Sequence, residues 1–209
     1  MKKLIVVLTT VLFLLPAISF AAKDSNVYIG GTLFQSFSRF HYQTFSHGFL
    51  DDTGDSVKFL SGPRFDLFVG YILGKVRVEG QYTMISSSSF NDAIDNSSVK
   101  YKASGIYANL IYDFWDVRKT VLTPFIGLGV GIASPDLILN VNSLQDEQKK
   151  NGVSYQLQAG LNLRLTDWLL INIKYSFLAM PAIRHSFKDV SGDFKNGVQS
   201  AGAGVILLL

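Results

Sequence analysis

The feature that most constrains the fold is a regular alternation of apolar and polar residues over Val153–Phe177. Every second residue from Val153 to Leu165 is apolar, and the residues between them are small, polar or charged. After a short break at Thr166–Trp168 the same alternation resumes. Successive side chains of a β-strand point to opposite faces of a sheet, so this period of two predicts two strands joined by a tight turn. The segment is therefore interpreted as a β-hairpin.

The apolar face of this hairpin contains no charged residue along its whole length. A transmembrane β-strand needs about 9–11 tilted residues to cross the hydrocarbon layer, and both predicted strands are close to this length. In that arrangement lipid contacts the apolar face, and the polar face lines the interior of a barrel. The alternative is a soluble β-sandwich, in which the polar face meets water and the apolar face meets a second sheet.

The same period of two recurs along the chain and predicts eight strands. They span Asn26–Phe37, Arg64–Leu73, Val76–Ile85, Tyr101–Tyr112, Val121–Ala133, Val153–Leu165, Leu169–Phe177 and Gly197–Leu209. The facing of the first strand is ambiguous, because two sets of residues on opposite faces compete for the lipid side. They are Val27, Ile29 and Leu33 on one face and Tyr28 and Phe34 on the other.

The connections between these strands alternate between long and short. The long polar segments are Ser38–Pro63, Ser86–Ser98, Ser134–Gly152 and Pro181–Asp193. Outer-membrane barrels have an even number of strands, short periplasmic turns and longer extracellular loops. With both termini in the periplasm, all four long segments would be extracellular. We therefore predict an all-β fold, an eight-stranded antiparallel up-and-down transmembrane β-barrel.

The N-terminus has the pattern of a secretory signal peptide. Lys2 and Lys3 precede the apolar run Leu4–Phe20, and small residues that suit a cleavage site follow. A membrane-anchoring helix is the alternative, but the run is short and ends in a processing signal. We expect residues 1–21 to be the signal peptide and residues 22–209 to be one barrel domain.

The remaining composition limits the classes of function. Removing Lys2 and Lys3 would lower Lys+Arg from 19 to 17 against 16 acidic residues, so no strongly basic surface for nucleic acid is indicated. The chain has no cysteine, so an exported domain of this size must be held closed without disulfides. A barrel achieves this because every backbone polar group is paired around the ring.

The charged residues of the predicted strands share the inward face. They are Arg64, Asp66, Arg77, Glu79, Arg164 and Lys174. A charge on the lipid face near the midplane costs about 2–4 kcal/mol, which explains this sorting. The inward charges could line an ion path, or they could pair with one another in a filled interior. Eight strands leave just enough room for side chains, and buried charges must be paired, so we favour structural pairing.

Two motifs carry a resemblance to a known family. Thr123–Gly131 has the sequence TPFIGLGVG. Leu165–Trp168 has the sequence LTDW and precedes a strand with a tyrosine near its end. With these motifs the chain resembles the small eight-stranded outer-membrane β-barrel family, and more narrowly its surface-antigen members. The resemblance covers essentially all of residues 22–209, through pattern more than identity. One departure is Leu209, because the family usually ends in an aromatic residue that the barrel-assembly machinery reads.

The resemblance implies a surface-exposed protein in the outer membrane of a Gram-negative bacterium. It implies a surface antigen or adhesin that acts through its four extracellular loops. The implied partners are outer-membrane lipid, the barrel-assembly machinery and host-cell surface molecules. The first loop is the best candidate contact surface, since clustered exposed aromatic residues mark interaction sites. Its candidate residues are Phe40, Tyr42, Phe45 and Phe49.

Two other functions stay open at this stage, a low-conductance pore and an outer-membrane lipid-modifying enzyme. The enzyme would use His185 and Ser186, but this chemistry needs a nucleophile, a base and an orienting acid within reach, and no acid partner is indicated. The glycines of Gly127–Gly131 lack the spacing and the following helix of a phosphate-binding loop. His41 and His47 lie among loop aromatics, which favours surface contacts over metal binding. We expect no catalytic residue, no cofactor and no metal ion.

Overall fold

The structure is a computed structural model that describes residues 26–40, 58–92, 97–141, 144–187 and 190–209. The predicted signal peptide and most of the first long connection lie outside the described residues. Within the described ranges, no helix is long and apolar enough to cross a membrane.

β-strands account for most of the described residues. They are β1 (Val27–Phe40), β2 (Lys58–Leu73), β3 (Val76–Asp92), β4 (Ser97–Asp113), β5 (Leu122–Val141), β6 (Leu144–Lys149), β7 (Gly152–Arg164), β8 (Leu169–Phe187) and β9 (Val190–Leu208). Each pairing between neighbouring strands is antiparallel.

The sheet closes on itself through β1, which pairs with both β2 and β9. Ile29, for example, lies between Val69 of β2 and Leu207 of β9. The short strand β6 pairs with the end of β5 and lies outside the ring. The remaining strands form a closed eight-stranded antiparallel barrel, which confirms the predicted fold.

One end of the barrel has the short turns, and it is called the short-turn end below. Gly74 and Lys75 join β2 to β3, and Gly74 has a φ of 66°, a conformation that glycine adopts without strain. Residues 114–121 join β4 to β5, and residues 165–168 join β7 to β8. The opposite end, where the predicted long segments lie, is called the long-loop end.

The strands extend further at the long-loop end than the sequence pattern predicts. β3 continues to Asp92, β5 to Val141 and β8 to Phe187, and β6 is an additional short strand. Much of the predicted loops Ser86–Ser98, Ser134–Gly152 and Pro181–Asp193 is therefore strand. These three loop predictions were wrong in extent. The apolar alternation stops where lipid contact stops, whereas the backbone hydrogen-bond ladder needs no apolar side chains to continue.

A proline lies inside the extended part of β8. The register between β8 and β9 shifts between Met180 and Ile183, and Pro181 falls within this irregularity. Proline cannot donate a ladder hydrogen bond and is found in sheets at bulges and edges. The bulge therefore allows β8 to continue beyond a residue that suggested the end of the strand.

The outward face of the barrel is an apolar band. Its half-exposed or exposed residues include Leu67, Val69, Val78, Leu110, Ile126, Leu128, Val130, Leu157, Ile173 and Val205. Aromatic residues lie toward its edges, with Trp115 and Trp168 in connections at the short-turn end and Tyr82 and Tyr155 nearer the other end. An apolar band between aromatic girdles is the surface expected of a barrel in lipid.

The structure resolves the ambiguous facing of β1. Leu33 is 66% exposed and faces outward, whereas Tyr28 and Phe34 are buried in the interior. Both aromatic rings contact interior cations, Tyr28 contacting Arg77 and Phe34 contacting Arg64 and Lys174. The interior therefore contains aromatic as well as polar side chains.

Candidate functional site

Asp66 is the centre of a charged group in the barrel interior. Its carboxylate accepts two hydrogen bonds from the Arg64 guanidinium, each of 2.8 Å. Gln81 Nε2 and the Thr83 hydroxyl each donate a further bond of 2.9 Å to the carboxylate. Lys174 Nζ lies 3.9 Å from Asp66 Oδ2. One buried carboxylate is therefore surrounded by two cations and two neutral donors.

The two cations of this group also contact other walls of the barrel. Arg64 Nη1 donates to the Ser176 hydroxyl of β8 at 3.1 Å. The Phe34 ring of β1 lies 4.6 Å from Arg64 Cζ and 5.4 Å from Lys174 Nζ. A second ring, Phe68, lies 5.0 Å from Lys174 Nζ. Cation–π contacts of this kind add stabilisation where the cation is out of water.

Arg77 is the centre of a second charged group, nearer the short-turn end. It donates two hydrogen bonds to Asp113, of 2.7 and 2.9 Å, and lies 4.0 Å from Glu79. The Tyr28 hydroxyl donates to Glu79 at 3.0 Å, and Phe125 packs 5.3 Å from Arg77 Cζ. Asp113 is absent from the predicted inward charges because it lies one residue beyond the predicted strand Tyr101–Tyr112, whereas β4 extends to Asp113. Its parity with the inward residues of β4 is the signal that could have placed it here.

Arg164 lies apart from both charged groups. It is at the end of β7, its side chain is 24% exposed, and it pairs at 3.7 Å with the solvent-exposed Asp167. Its guanidinium also donates to the backbone carbonyl of Arg118. The structure thus divides the six predicted residues into an Asp66 group, an Arg77 group and this separate residue.

An apolar cluster lies on each side of the Asp66 group, and the one nearer the short turns also packs around the Arg77 group. The cluster toward the long-loop end comprises Ile85, Tyr101, Ala103, Tyr107, Ala133, Leu178, Met180 and Val198. The cluster toward the short-turn end comprises Tyr28, Phe68, Ile72, Val117, Leu170 and Ile206. Val117 belongs to the connection between β4 and β5 and is only 2% exposed, so this connection folds into the barrel mouth.

The inward side chains of β8 give the order of these layers directly. From the long-loop end they are apolar at Leu178, polar at Ser176, Lys174 and Asn172, and apolar again at Leu170. All five are nearly inaccessible to solvent. The polar layer of the interior is therefore enclosed between two apolar layers.

The wall formed by β7 and β8 has buried amides with unused hydrogen-bonding atoms. Gln156 Oε1, both head atoms of Gln158, Asn162 Nδ2 and Asn172 Oδ1 have no protein hydrogen-bond partner among the described residues. An unpaired buried polar atom costs about 1–3 kcal/mol. Bound water typically satisfies such groups. We therefore expect individual ordered waters along this wall.

The inward glycines of β5 make room for side chains of the neighbouring strands. A Cβ at Gly129 would lie 2.0 Å from Asn109 Oδ1, and one at Gly131 would lie 2.1 Å from the backbone oxygen of Ile106. These glycines lie inside a strand with no following helix. Their role in the described structure is to allow close packing.

The remaining sequence candidates belong to the first long connection and to the last part of β8. Phe40 is the last residue of β1, whereas Tyr42, Phe45 and Phe49 lie outside the described residues. His185 and Ser186 occupy consecutive positions in β8, and consecutive positions alternate between the two faces of a sheet. In the part of the chain that the structure describes, no group of His, Cys, Asp or Glu side chains could hold a metal ion.

Comparison with known proteins identifies the family. Residues 6–206 match the family model of the outer membrane protein β-barrel domain, so the chain belongs to that family. A comparison with curated protein sequences finds no match.

Solved structures show the same fold at low sequence identity. Neisserial surface protein A is 14% identical, with 88% of this chain and 98% of that chain covered and a TM-score of 0.61. OprG from Pseudomonas aeruginosa is 14% identical, with 88% and 97% covered and a TM-score of 0.57. Ail, the attachment invasion locus protein of Yersinia pestis, is 16% identical, with 86% and 97% covered and a TM-score of 0.47.

Proposed function

We propose that this outer-membrane β-barrel protein is a surface antigen or adhesin that acts through its extracellular connections. The observation that carries the proposal is the enclosed interior, in which the Asp66 group lies between two apolar clusters and the Arg77–Asp113 pair is nearly inaccessible to solvent. A barrel filled in this way has little free volume for a solute path or a substrate. Its exterior surface and its connections are then the parts available for interaction.

The charged residues of the interior have a structural role in this proposal. Asp66 and Asp113 each accept a bidentate pair of hydrogen bonds from one arginine. This geometry gives the strongest contacts between arginine and carboxylate. An ion path would instead need charged groups facing water. The pairing of Arg64 with Asp66 and of Arg77 with Asp113 supports a packed scaffold over a low-conductance pore.

The length of the strands at the long-loop end also supports a surface role. β8 and β9 remain paired out to Phe187 and Val190. From Phe177, at the edge of the apolar band, to Phe187 the strand rises roughly 30 Å along its axis. In a barrel whose longer connections are extracellular, such a hairpin would extend well beyond the lipid. The name of Neisserial surface protein A likewise describes a surface location for that protein.

The first connection is the proposed contact surface. It follows β1 and contains Tyr42, Phe45 and Phe49, with Phe40 at the end of the strand. Aromatic side chains are enriched in the energetically dominant positions of protein interfaces. We propose that these four residues contact host-cell surface molecules.

The test is a replacement of residues 42–56 by a glycine–serine linker of equal length. The matched control replaces residues 93–96, the connection between β3 and β4, in the same way. Both variants and the parent would be displayed on a non-adherent bacterium and assayed for attachment to cultured host cells. Because the interior contacts are untouched, both variants should retain heat-modifiable migration on gels.

We expect the first variant to lose attachment and the control to retain it. Unchanged attachment by a folded first variant would contradict the assignment of this connection. Planar-bilayer recordings of the refolded parent add a second measurement, in which we expect no steady current. A reproducible steady current would contradict the enclosed interior and favour the pore.

A further inference from the structure

A shallow groove of about 460 Å³ lies on the outer wall of the barrel at the long-loop end. Part of its surface is an apolar row formed by Leu33, Phe65 and Met84. Leu33 is the register partner of Phe65, and Phe65 is the register partner of Met84, so the three side chains are lateral neighbours on β1, β2 and β3. All three lie on the lipid-facing side.

A charged row borders the groove two residues further toward the long-loop end. Ser86 is the register partner of Lys102, Lys102 of Asp136, and Asp136 of Lys149. Two residues of a strand correspond to roughly 7 Å. Lys102 and Lys149 are both exposed, and they flank Asp136 on the outward face. The groove therefore has an apolar part and a basic border. The distance between them suits a lipid whose acyl chain contacts the apolar part and whose headgroup contacts the basic border.

The basic border is unusual for this surface. Between the aromatic girdles, the outward positions of the described strands contain no charged residue. Lys102 and Lys149 are therefore placed where the apolar band ends, on the wall where β5 changes its partner from β7 to β6. A lysine near an anionic membrane surface contributes about 1 kcal/mol to attraction.

We propose that this groove binds a phosphate-bearing membrane lipid. The lipid chain packs on Leu33, Phe65 and Met84, and Lys102 and Lys149 contact the headgroup phosphate directly. A free phosphate ion would leave the apolar row without a function, and an uncharged lipid would leave the lysines without one. The inference is independent of the proposed surface function, since it concerns the wall of the barrel and not its connections.

Substitution of Asp136 tests whether the lysines contact the phosphate directly, because the direction of the change in lipid affinity distinguishes the two cases. Asp136 occupies the register position between the two lysines, and its Oδ1 is buried with no hydrogen-bond partner among the described residues. If the lysines contact the phosphate directly, Asp136 repels it, and Asp136→Asn should tighten lipid binding. Weaker binding by this variant would overturn direct contact, because it would mean that a cation bridges the carboxylate and the phosphate.

The test is native mass spectrometry of the refolded full-length barrel in neutral detergent, titrated with diphosphoryl lipid A. Lys102→Gln and Lys149→Gln should each weaken binding about fivefold, the factor that corresponds to one surface lysine. The control is Lys75→Gln combined with Lys119→Gln, which removes at the short-turn end as much charge as Lys102→Gln and Lys149→Gln remove together. It should stay within twofold of the parent. Heat-modifiable migration verifies that each variant is folded.

Two further ligands separate the sources of the binding energy. Dephosphorylated lipid A should bind at least tenfold more weakly than the phosphorylated form, and inorganic phosphate at millimolar concentration should not compete. Equal binding of the dephosphorylated form would overturn the role of the lysines. Competition by inorganic phosphate would overturn the role of the apolar row. If the control variant weakens lipid A binding as much as the lysine variants do, the loss of affinity follows net charge alone. That result would overturn the assignment of the binding site to this groove.

Discussion

Replacing Asp66 by asparagine should destabilise the barrel by about 3–5 kcal/mol, the cost of breaking a buried ion pair from one side. Asp66 is fully buried and accepts hydrogen bonds from Arg64, Gln81 and Thr83. Asparagine keeps the shape but removes the charge and one acceptor oxygen. Arg64 and Lys174 would then both lie in the interior with no carboxylate between them.

Two features of the structure place the expected loss of stability in the upper half of the range of about 3–5 kcal/mol. Hydrogen bonds to charged groups contribute about 1.5–3 kcal/mol each, and Asp66 receives two from Arg64 alone. The apolar clusters on both sides limit the access of water to the remaining cations. The loss would be measured by urea unfolding from lipid vesicles. Trp115 and Trp168 lie exposed near the edge of the apolar band, so their fluorescence should report departure from lipid.

Asp167→Asn is the matched control for this prediction. It makes the same chemical change in an ion pair with Arg164, but its carboxylate is exposed to solvent, so we expect no measurable change. A triple variant with Asp66→Asn, Arg64→Met and Lys174→Met should recover most of the stability, because no unpaired charge remains buried. If Asp66→Asn costs no more than Asp167→Asn, water reaches the cluster and the argument for an enclosed interior fails.

Two further predictions test the packing and the membrane placement by the same unfolding measurement. Gly204→Ala should destabilise the barrel by about 1–3 kcal/mol, since the new Cβ would lie 2.0 Å from the backbone oxygen of Gly31, whereas Gly80→Ala, with no atom closer than 4.0 Å, should have little effect. Equal effects would contradict the close approach of β1 and β9. Leu128→Arg places a charge on the lipid face and should cost about 2–4 kcal/mol. Ser86→Arg, at the level of Lys102 where the apolar band ends, should cost about 0–1 kcal/mol. A reversed order would mean that the apolar band is not in the hydrocarbon.

The strand positions and the facing of most strands could be predicted from the sequence for one physical reason. Lipid excludes charge from one face of each strand, so parity alone sorts Asp66 and Lys174 from Leu67 and Ile173. The apolar alternation did not decide which face of β1 meets lipid, because aromatic residues are counted as lipid-facing. Tyr28 instead donates a hydrogen bond to Glu79 in the interior.

The pairing of the charges could not be predicted, because it depends on the register and on contacts across the barrel. Asp113 and Arg164 both lie at strand ends, where parity says nothing about which partner is within reach. Asp113 meets Arg77 on the neighbouring strand, while Arg164 turns toward Asp167 at the surface. The strand extensions at the long-loop end were likewise hidden, since backbone pairing beyond the lipid leaves no apolar pattern in the sequence.

The interior contacts explain why the scaffold and the surface can serve separate purposes. Arg64 connects β2 to β8, Tyr28 connects β1 to β3, and the Tyr101 hydroxyl donates to Met180 Sδ between β4 and β8. These bonds join strands that are not neighbours in the ring, so they fix the shape of the barrel from within. They involve no residue of the connections at the long-loop end. Changes in those connections should therefore alter what the protein contacts while the free energy of unfolding of the barrel stays the same.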